Sequence, residues 1–462
     1  MNILLVEPAF PYPNKSKNKA TSVHKNFVPI SLLKFASLYK AKGYSVDLVR
    51  GKLPRSELRF YPKKILVTSL FTYWSKYVWD VISYYRSIFP ESEILLGGIY
   101  ATLHSGTQKF DAFIRQYKVD VRVGIDNEAE KFLPDYSILP DVDYHATHMM
   151  RGCIRRCNFC GTWKIEPQRT NKTKEEVISE LITIGKNKVI FYDNNILANP
   201  HIKDILYELQ TLTIKGKPVS FESQSGFDGR LLEKDLELAN LIKKARFRNI
   251  RIAWDNGLND KESIKRQLDI LNKAGFKSKD ISVFMIYNFN IPYEDMVKKI
   301  KLCKKWGVQI TDCRFRPLDI DYDDYSPHCR GSGKSGEYYI HEQAGWTDEK
   351  VRNFRSQVRI HNIWVRYARD KGKEYDKRME KWSAINSTFK FFGLGKAPKL
   401  GKIEKSGYLK RKIILLKKLK IRFKSAQEIS RSYNYNSIED LERLWNKWSE
   451  AEKLQKDYNV ST

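Results

Sequence analysis

Three cysteines within eight residues, Cys153, Cys157 and Cys160, can face a single point if the chain loops around it. The stretch from Met149 to Lys164 reads M-M-R-G-C-I-R-R-C-N-F-C-G-T-W-K, with spacing C-x3-C-x2-C. Soft thiolate ligands suit iron–sulfur clusters and zinc. With three local thiols, a four-iron cluster keeps one iron without a protein ligand, open to substrate or cofactor as the fourth position of a catalytic zinc is. Arg155 and Arg156 add positive charge, which favours thiolate over thiol. The other reading is a structural zinc site, with His145 or His148 as fourth ligand.

The cysteines follow the first strand of a long alternation. Apolar runs predict strands near His145–Met149, Lys188–Tyr192, Val219–Glu222, Asn249–Ala253, Ile281–Ile286 and Gln309–Phe315. Amphipathic periodicity predicts helices near Lys174–Ile184, Ile202–Leu209, Arg230–Lys244, Lys261–Lys273 and Tyr293–Trp306. Thr173 with Glu176 is a capping box, and Gly275 and Gly307 are C-terminal stops. This is a partial (β/α)6 barrel over residues 144–320, and chemistry sits at the C-terminal strand ends of such barrels. Residues 1–143 read as a doubly wound, Rossmann-like or flavodoxin-like α/β domain. Its strands lie at Ile3–Val6, Val46–Val49, Ile65–Ser69 and Ile94–Leu96, with helices at Ile30–Lys42 and Val78–Phe89. Gly97-Gly98 follows its last strand as a turn. Residues 321–462 form a basic, mainly helical region, with helices over Thr347–Asp370 and Ser437–Lys453.

Charge matters next. Lys and Arg number 83 against 54 acids, a net charge of +29, and such an excess attracts polyanions. It is concentrated at residues 401–424, which hold ten Lys/Arg and one Glu. The strip Ile413–Leu416 with Leu419 makes this an amphipathic helix packed on its neighbours, or a polyanion-binding face with Tyr408 and Phe423 for stacking. No apolar run is long enough to span a membrane, and six unevenly spaced cysteines describe no disulfide framework, so a cytoplasmic protein is expected.

Of the other cysteines, Cys303 reads as core and Cys313 as core or barrel lining. Cys329, beside His328 in a glycine-rich loop, is the candidate catalytic residue, as hydrogen donor or auxiliary ligand. Asp319, Asp321, Asp323 and Asp324 read as a solvated loop.

The cysteine motif after strand one of a (β/α) repeat resembles the radical S-adenosylmethionine (SAM) superfamily, and the preceding domain resembles the subgroup with an N-terminal cobalamin-binding-type domain. The resemblance implies that Cys153, Cys157 and Cys160 ligate a [4Fe–4S] cluster whose fourth iron chelates SAM. It implies that Phe159 packs near the adenine, and that Asp193 and Asn194, in D-N-N at the end of strand two, stand where the family places a Gly-Gly-Glu-type segment. Asp255 at the end of strand four matches an acidic SAM contact, and Glu222 and Ser223 at the end of strand three are placed to face the site. N-F-N-I-P-Y-E-D (288–295) is similar to the family's turn after strand five, with Asn290 in place of glycine and Asp295 in place of threonine; Pro317 matches the proline closing strand six. His24 lacks the acid and glycine of the cobalamin motif, so the domain implies cobalamin by fold alone.

The expected activity is reductive SAM cleavage, giving a 5′-deoxyadenosyl radical that modifies an unreactive carbon of a nucleic acid or nucleotide-like substrate, with an electron donor such as flavodoxin or ferredoxin. Two alternatives stand beside it: a cobalamin-dependent radical SAM methyltransferase or small-molecule tailoring enzyme, and a nucleic-acid-binding protein with a structural metal site.

Overall fold

The computed structural model describes residues 1–12, 27–323, 325, 338–367, 372–422 and 434–460. The chain divides into two compact units, Met1–Val365 and Arg366–Thr462.

The first unit opens with five parallel strands, β1 (Asn2–Glu7), β2 (Ser45–Arg50), β3 (Lys64–Ser69), β4 (Glu93–Gly98) and β5 (Val119–Arg122), in the order β2-β1-β3-β4-β5. This is the flavodoxin-like order, whose switch point lies between β1 and β3. Along β1, Ile3 and Leu5 pack with Leu32 and Ala36 of α1 (Ile30–Ala41), while Leu4 and Val6 pack with Val78, Val81 and Ile82 of α2 (Ser75–Ile88). Helices on both faces explain why β1 is apolar on both faces. A longer helix beyond the short one over Ile99–His104, α3 (Gln108–Tyr117), lays Phe113 on Trp79 at 4.8 Å between ring centroids. Neither α3 nor β5 is expected from the sequence, because both are polar at their exposed positions. Gly98 has φ +102°, and a Cβ there would stand 2.1 Å from the Ser69 carbonyl oxygen. Gly97 and Gly98 are therefore the last residues of β4 rather than a turn after it, and Gly98 is pressed against β3, closed to any side chain.

Six further parallel strands follow: β6 (His145–Thr147), β7 (Lys188–Phe191), β8 (Ser220–Ser223), β9 (Arg251–Ala253), β10 (Ser282–Tyr287) and β11 (Gln309–Arg314). They form two three-stranded sheets, joined by parallel bridges at Phe221–Phe247 and Phe227–Ile252, so spatial order follows chain order. Helices α4 (Lys174–Ile184), α5 (Ile202–Thr211), α6 (Glu237–Lys244), α7 (Lys261–Lys273) and α8 (Tyr293–Trp306) alternate with them. The Thr173–Glu176 capping box is present, and Gly307 closes α8 in the left-handed conformation. The helix expected over Arg230–Lys244 is two helices, broken at Asp235, whose carboxylate accepts the Glu237 amide and starts α6 anew. The helix α9 (Asp348–Tyr367) completes this core with Val351, Phe354 and Val358 beside Tyr287.

The second unit is helical: α10 (Gly372–Phe391), α11 (Leu400–Lys405), α12 (Gly407–Arg422) and α13 (Ile438–Val460). The basic stretch is two helices because Ser406 is extended and its hydroxyl accepts the Leu409 amide. Among the described residues no helix is long and apolar enough to cross a membrane.

Candidate functional site

The strand before the cysteines is shorter than its apolar run. β6 stops at Thr147 because the Met149 and Met150 amides leave the ladder for the side chain of Asp193, at 2.6 to 3.1 Å. Asp193 is fully buried, and burial pushes its carboxyl up to about 7. Gly152, with φ +75°, then turns the chain, and its amide donates to Glu166 at 2.7 Å. A Cβ on Gly152 would meet the Gln168 carbonyl oxygen at 3.0 Å, so the left-handed turn and the close packing both demand glycine. Arg151 holds the same turn between Glu130 and Glu166, at 2.6 and 2.9 Å.

Cys153, Cys157 and Cys160 follow as free, half-buried thiols. The Cys160 amide donates to the Cys157 carbonyl at 3.1 Å, closing the loop. The Cys160 thiol donates to Thr162 Oγ1 at 3.2 Å, Thr162 donates to Asn194 Oδ1 at 3.0 Å, and Asn194 Nδ2 reaches Glu166 at 3.3 Å. Asn194 is thus joined to the cysteine loop through one hydroxyl. Burial raises the Cys157 pKa, and the charges of Asp255 and Cys160 raise it further. The Arg155 guanidinium donates to Asp228 at 3.0 Å, and its amide donates to the Cys153 sulfur at 3.3 Å. Asp228 also accepts from Asn195 at 3.2 Å, tying the cysteine loop to β7 and β8.

The remaining site residues divide. Asp255 is close enough to Cys157 to act on its charge, and makes no hydrogen bond among the described residues; burial raises its pKa. Phe159 meets Phe289 edge-on at 5.7 Å, and Phe289 packs on Phe315 at 4.6 Å, so the 288–295 segment reaches the cysteine loop. Glu222 and Ser223 are engaged with their own scaffold. Glu222 pairs with Arg251 at 2.5 Å and accepts from Asn249 at 2.7 Å, while the Ser223 hydroxyl donates to the Gly226 carbonyl at 2.7 Å. Cys303 is core, as expected. Cys313 shares the register of Ile286 and keeps an accessible side chain, yet surrounding protein pushes its thiol up to about 12. It is therefore a lining thiol rather than packed core. Cys329, His328, His24 and Asp324 lie outside the described residues.

The acidic stretch is only partly a solvated loop: Asp319 is exposed, whereas Asp321 and Asp323 are engaged. Asp323 is buried, accepts from Arg314 and the amides of Tyr325 and Tyr339, and lies 3.3 Å from Arg316. Asp321 pairs with His104 at 3.1 Å and with Lys109 at 2.6 Å. Two Asp side chains so partnered stabilise a chain reversal that hydropathy alone reads as exposed.

Lys299, Asp228 and His341 are not singled out by the sequence reasoning. Lys299 occupies a buried position of α8 between Met296 and Cys303, where its Nζ donates to the Trp254 and Asn256 carbonyls at 2.7 and 2.8 Å. A lysine in an apolar stripe is the signal that marks it. His341 lies 6.1 Å from Phe289 between ring centroids, and Nε2 pairs with Asn290 Oδ1 at 2.6 Å.

A cavity of about 330 Å³ lies between the C-terminal edge of the first sheet and the back of the cysteine loop. Its walls include Ser69, Gly98, Lys34, His148, Arg151 and Thr162. His145 is unavailable as a metal ligand, since its nitrogens are paired with Tyr136 and Glu180. Among the described residues no group of three His, Cys, Asp or Glu converges on one ion. A zinc ion needs its ligands on one centre, whereas a four-iron cluster takes one thiolate per iron. The donor set fits the cluster.

Residues 147–310 match the model of the Radical SAM superfamily. No curated protein matches the chain. Among solved structures, the catalytic domain of the hyperthermophilic chitinase from Pyrococcus furiosus aligns at 11% identity over 78% of this chain and 95% of that one, with a TM-score of 0.25. A score that low carries no argument about this fold.

Proposed function

We infer, from the premise that residues 147–310 form a radical SAM domain and the protein is therefore a radical SAM enzyme, that Cys153, Cys157 and Cys160 hold a [4Fe–4S] cluster. When bound, the cluster and SAM supply a 5′-deoxyadenosyl radical that takes hydrogen from an unreactive carbon. The chain's residues position the reactants and exclude water around them. Asp193 holds the entrance of the cysteine loop, and Gly152 with Glu166 turns it. Asp255 is placed as an acceptor for SAM, while Phe159 and Phe289 offer an apolar wall to its adenine. Glu222 and Ser223 act by holding β8 and β9 rather than by reaching the cofactor. The observation that carries this reading is that the charge of Asp255, just past the end of β9, acts on Cys157 in the cysteine loop, although the two are far apart in sequence.

We read residues 1–143 as the cobalamin-binding-type domain, residues 144–320 as the partial (β/α)6 barrel, and residues 321–462 as the basic C-terminal region. The strand orders support the first two. The cavity beside the cysteine loop, about 330 Å³, is at the small end of the roughly 300–1,000 Å³ range of small-molecule pockets. The substrate class we favour is a nucleic acid or nucleotide-like anion, on the net charge of +29. A low-potential donor such as a flavodoxin or ferredoxin supplies the electron.

Anaerobic reconstitution with iron and sulfide, then SAM and a strong reductant, tests the reading. 5′-Deoxyadenosine is the expected product, formed faster when nucleic acid is added. Fully loaded protein that never cleaves SAM overturns it.

A further inference from the structure

The charge of the second unit is separated from its packing. Between Lys381 and Arg422 the sequence carries thirteen Lys or Arg and one acid, Glu404. Glu404 is spoken for by Arg378 at 2.8 Å. Along α12, Ile413, Leu415, Leu416 and Leu419 are buried, in one cluster with Ile385 and Phe389 of α10 and Leu441 and Leu444 of α13. Lys412, within that stripe, is buried too and is satisfied by Asn436 at 3.0 and 3.2 Å. The opposite face, Lys410, Arg411, Ile414, Lys417 and Lys418, is exposed. Lys410 and Lys417 lie two turns apart on that face, about 10 Å along the axis. That distance is about three nucleotide rises of a strand.

Lys402 and Lys405 of α11 are exposed as well, and Tyr408 in the first turn of α12 is 52% exposed with its hydroxyl held by the Asn436 carbonyl at 2.9 Å. Among the described residues none of Lys402, Lys405, Lys410 and Lys417 has an acidic partner. Arg411 and Lys418 differ: the first pairs with Glu442 at 2.5 Å, and the second lies over Trp445.

We propose that α11 and α12 form a nucleic-acid-backbone binding surface, with Lys402, Lys405, Lys410 and Lys417 neutralising phosphates and Tyr408 stacking on a base. The proposal rests on the nucleic-acid half of the substrate reading above and deepens it. A membrane surface does not fit, because the apolar stripe of α12 is already used against α10 and α13, and a bilayer-bound helix needs that stripe free. An acidic protein does not fit, because a stable protein interface needs an apolar or aromatic anchor cluster, and Ile414 is a single exposed aliphatic among cations. Phosphate binding needs no such anchor, and its affinity comes from counterion release.

The test uses the full-length protein and a fluorescent mixed-sequence oligonucleotide of about 20 nucleotides, longer than one such binding site. Affinity is measured against salt. Replacing Lys402, Lys405, Lys410 and Lys417 together by Gln should lower affinity at least tenfold at low salt. It should also reduce the slope of log K against log salt by about 3, at roughly 0.7 per phosphate contact on a single strand. The fourfold Arg variant should bind as the unaltered protein does, which separates lost charge from lost folding. A control with Lys234, Lys273, Lys277 and Lys301 of the first unit changed to Gln should keep the slope. Equal binding by the Gln variant overturns the proposal and leaves the substrate reading standing, as does equal loss in the control. Binding to phosphatidylserine vesicles but not to the oligonucleotide overturns both. SAM cleavage without nucleic acid should be the same in every variant, so a failure of the radical chemistry is read separately.

Discussion

Asp193 takes the amide of Met150 at 2.6 Å and that of Met149 at 3.0 and 3.1 Å, so one buried carboxylate decides where β6 ends and the cysteine loop begins. Asp193→Ala strands two buried amides, at about 1–3 kcal/mol for each unsatisfied group. The expected loss is about 2–6 kcal/mol in denaturant unfolding, with iron content after reconstitution falling by more than half. Asp193→Asn keeps the oxygen that serves both amides and should lose less than half as much. An Ala variant that loads iron normally would show that the loop closes without this contact.

Each of Cys153→Ala, Cys157→Ala and Cys160→Ala should abolish the brown absorbance of the reconstituted protein and SAM cleavage together. Cys303→Ala, in the core, should lower stability and leave both signals. Retention of SAM cleavage by Cys157→Ala would refute the ligand assignment.

The Arg251–Glu222 pair, at 2.5 Å, sets a buried carboxylate against a guanidinium side chain that is 12% exposed. Removing one partner leaves a desolvated charge, which costs about 3–5 kcal/mol. Arg251→Met should therefore destabilise strongly, and Arg251→Met with Glu222→Gln should recover a large part. If the single and double variants are equally unstable in urea unfolding, the pair is not the source of the loss.

His361 on α9 sets its Nε2 against the Val308 carbonyl at 2.8 Å, and burial pulls its pKa down to about 4. The unfolded chain then takes up the proton first. The stability this group contributes is complete above about pH 6.5 and is lost as pH falls toward 4, to a total of about 3 kcal/mol. His361→Gln should flatten that part of the profile, measured on cluster-free protein. An unchanged slope between pH 6.5 and 4 would assign the loss to other groups.

Much of the frame is legible without coordinates. Apolar runs mark six strands within two or three residues of where they lie, because burial against helices demands them. The errors have local causes: Asp235 caps a new helix inside an apolar pattern, and Asp193 draws two amides out of a strand. Side-chain acceptors compete with the backbone ladder, and hydropathy does not see them. Lys299 and the Asp323 clamp were hidden for the opposite reason, since a charged residue reads as exposed until its partners are known.

The sequence by itself determined the cysteine spacing, the strand and helix periodicity that gives the loop its place, and the basic excess. Those are local quantities, carried by residue type and interval. The tertiary structure decided which polar groups act on the thiols and which are consumed by the scaffold: the charge of Asp255 acts on Cys157, but Glu222 pairs with Arg251 and Arg155 with Asp228. It also decided that α12 hides its leucines and displays its lysines. Partner choice depends on distances between residues tens of positions apart, and only the folded chain sets those distances.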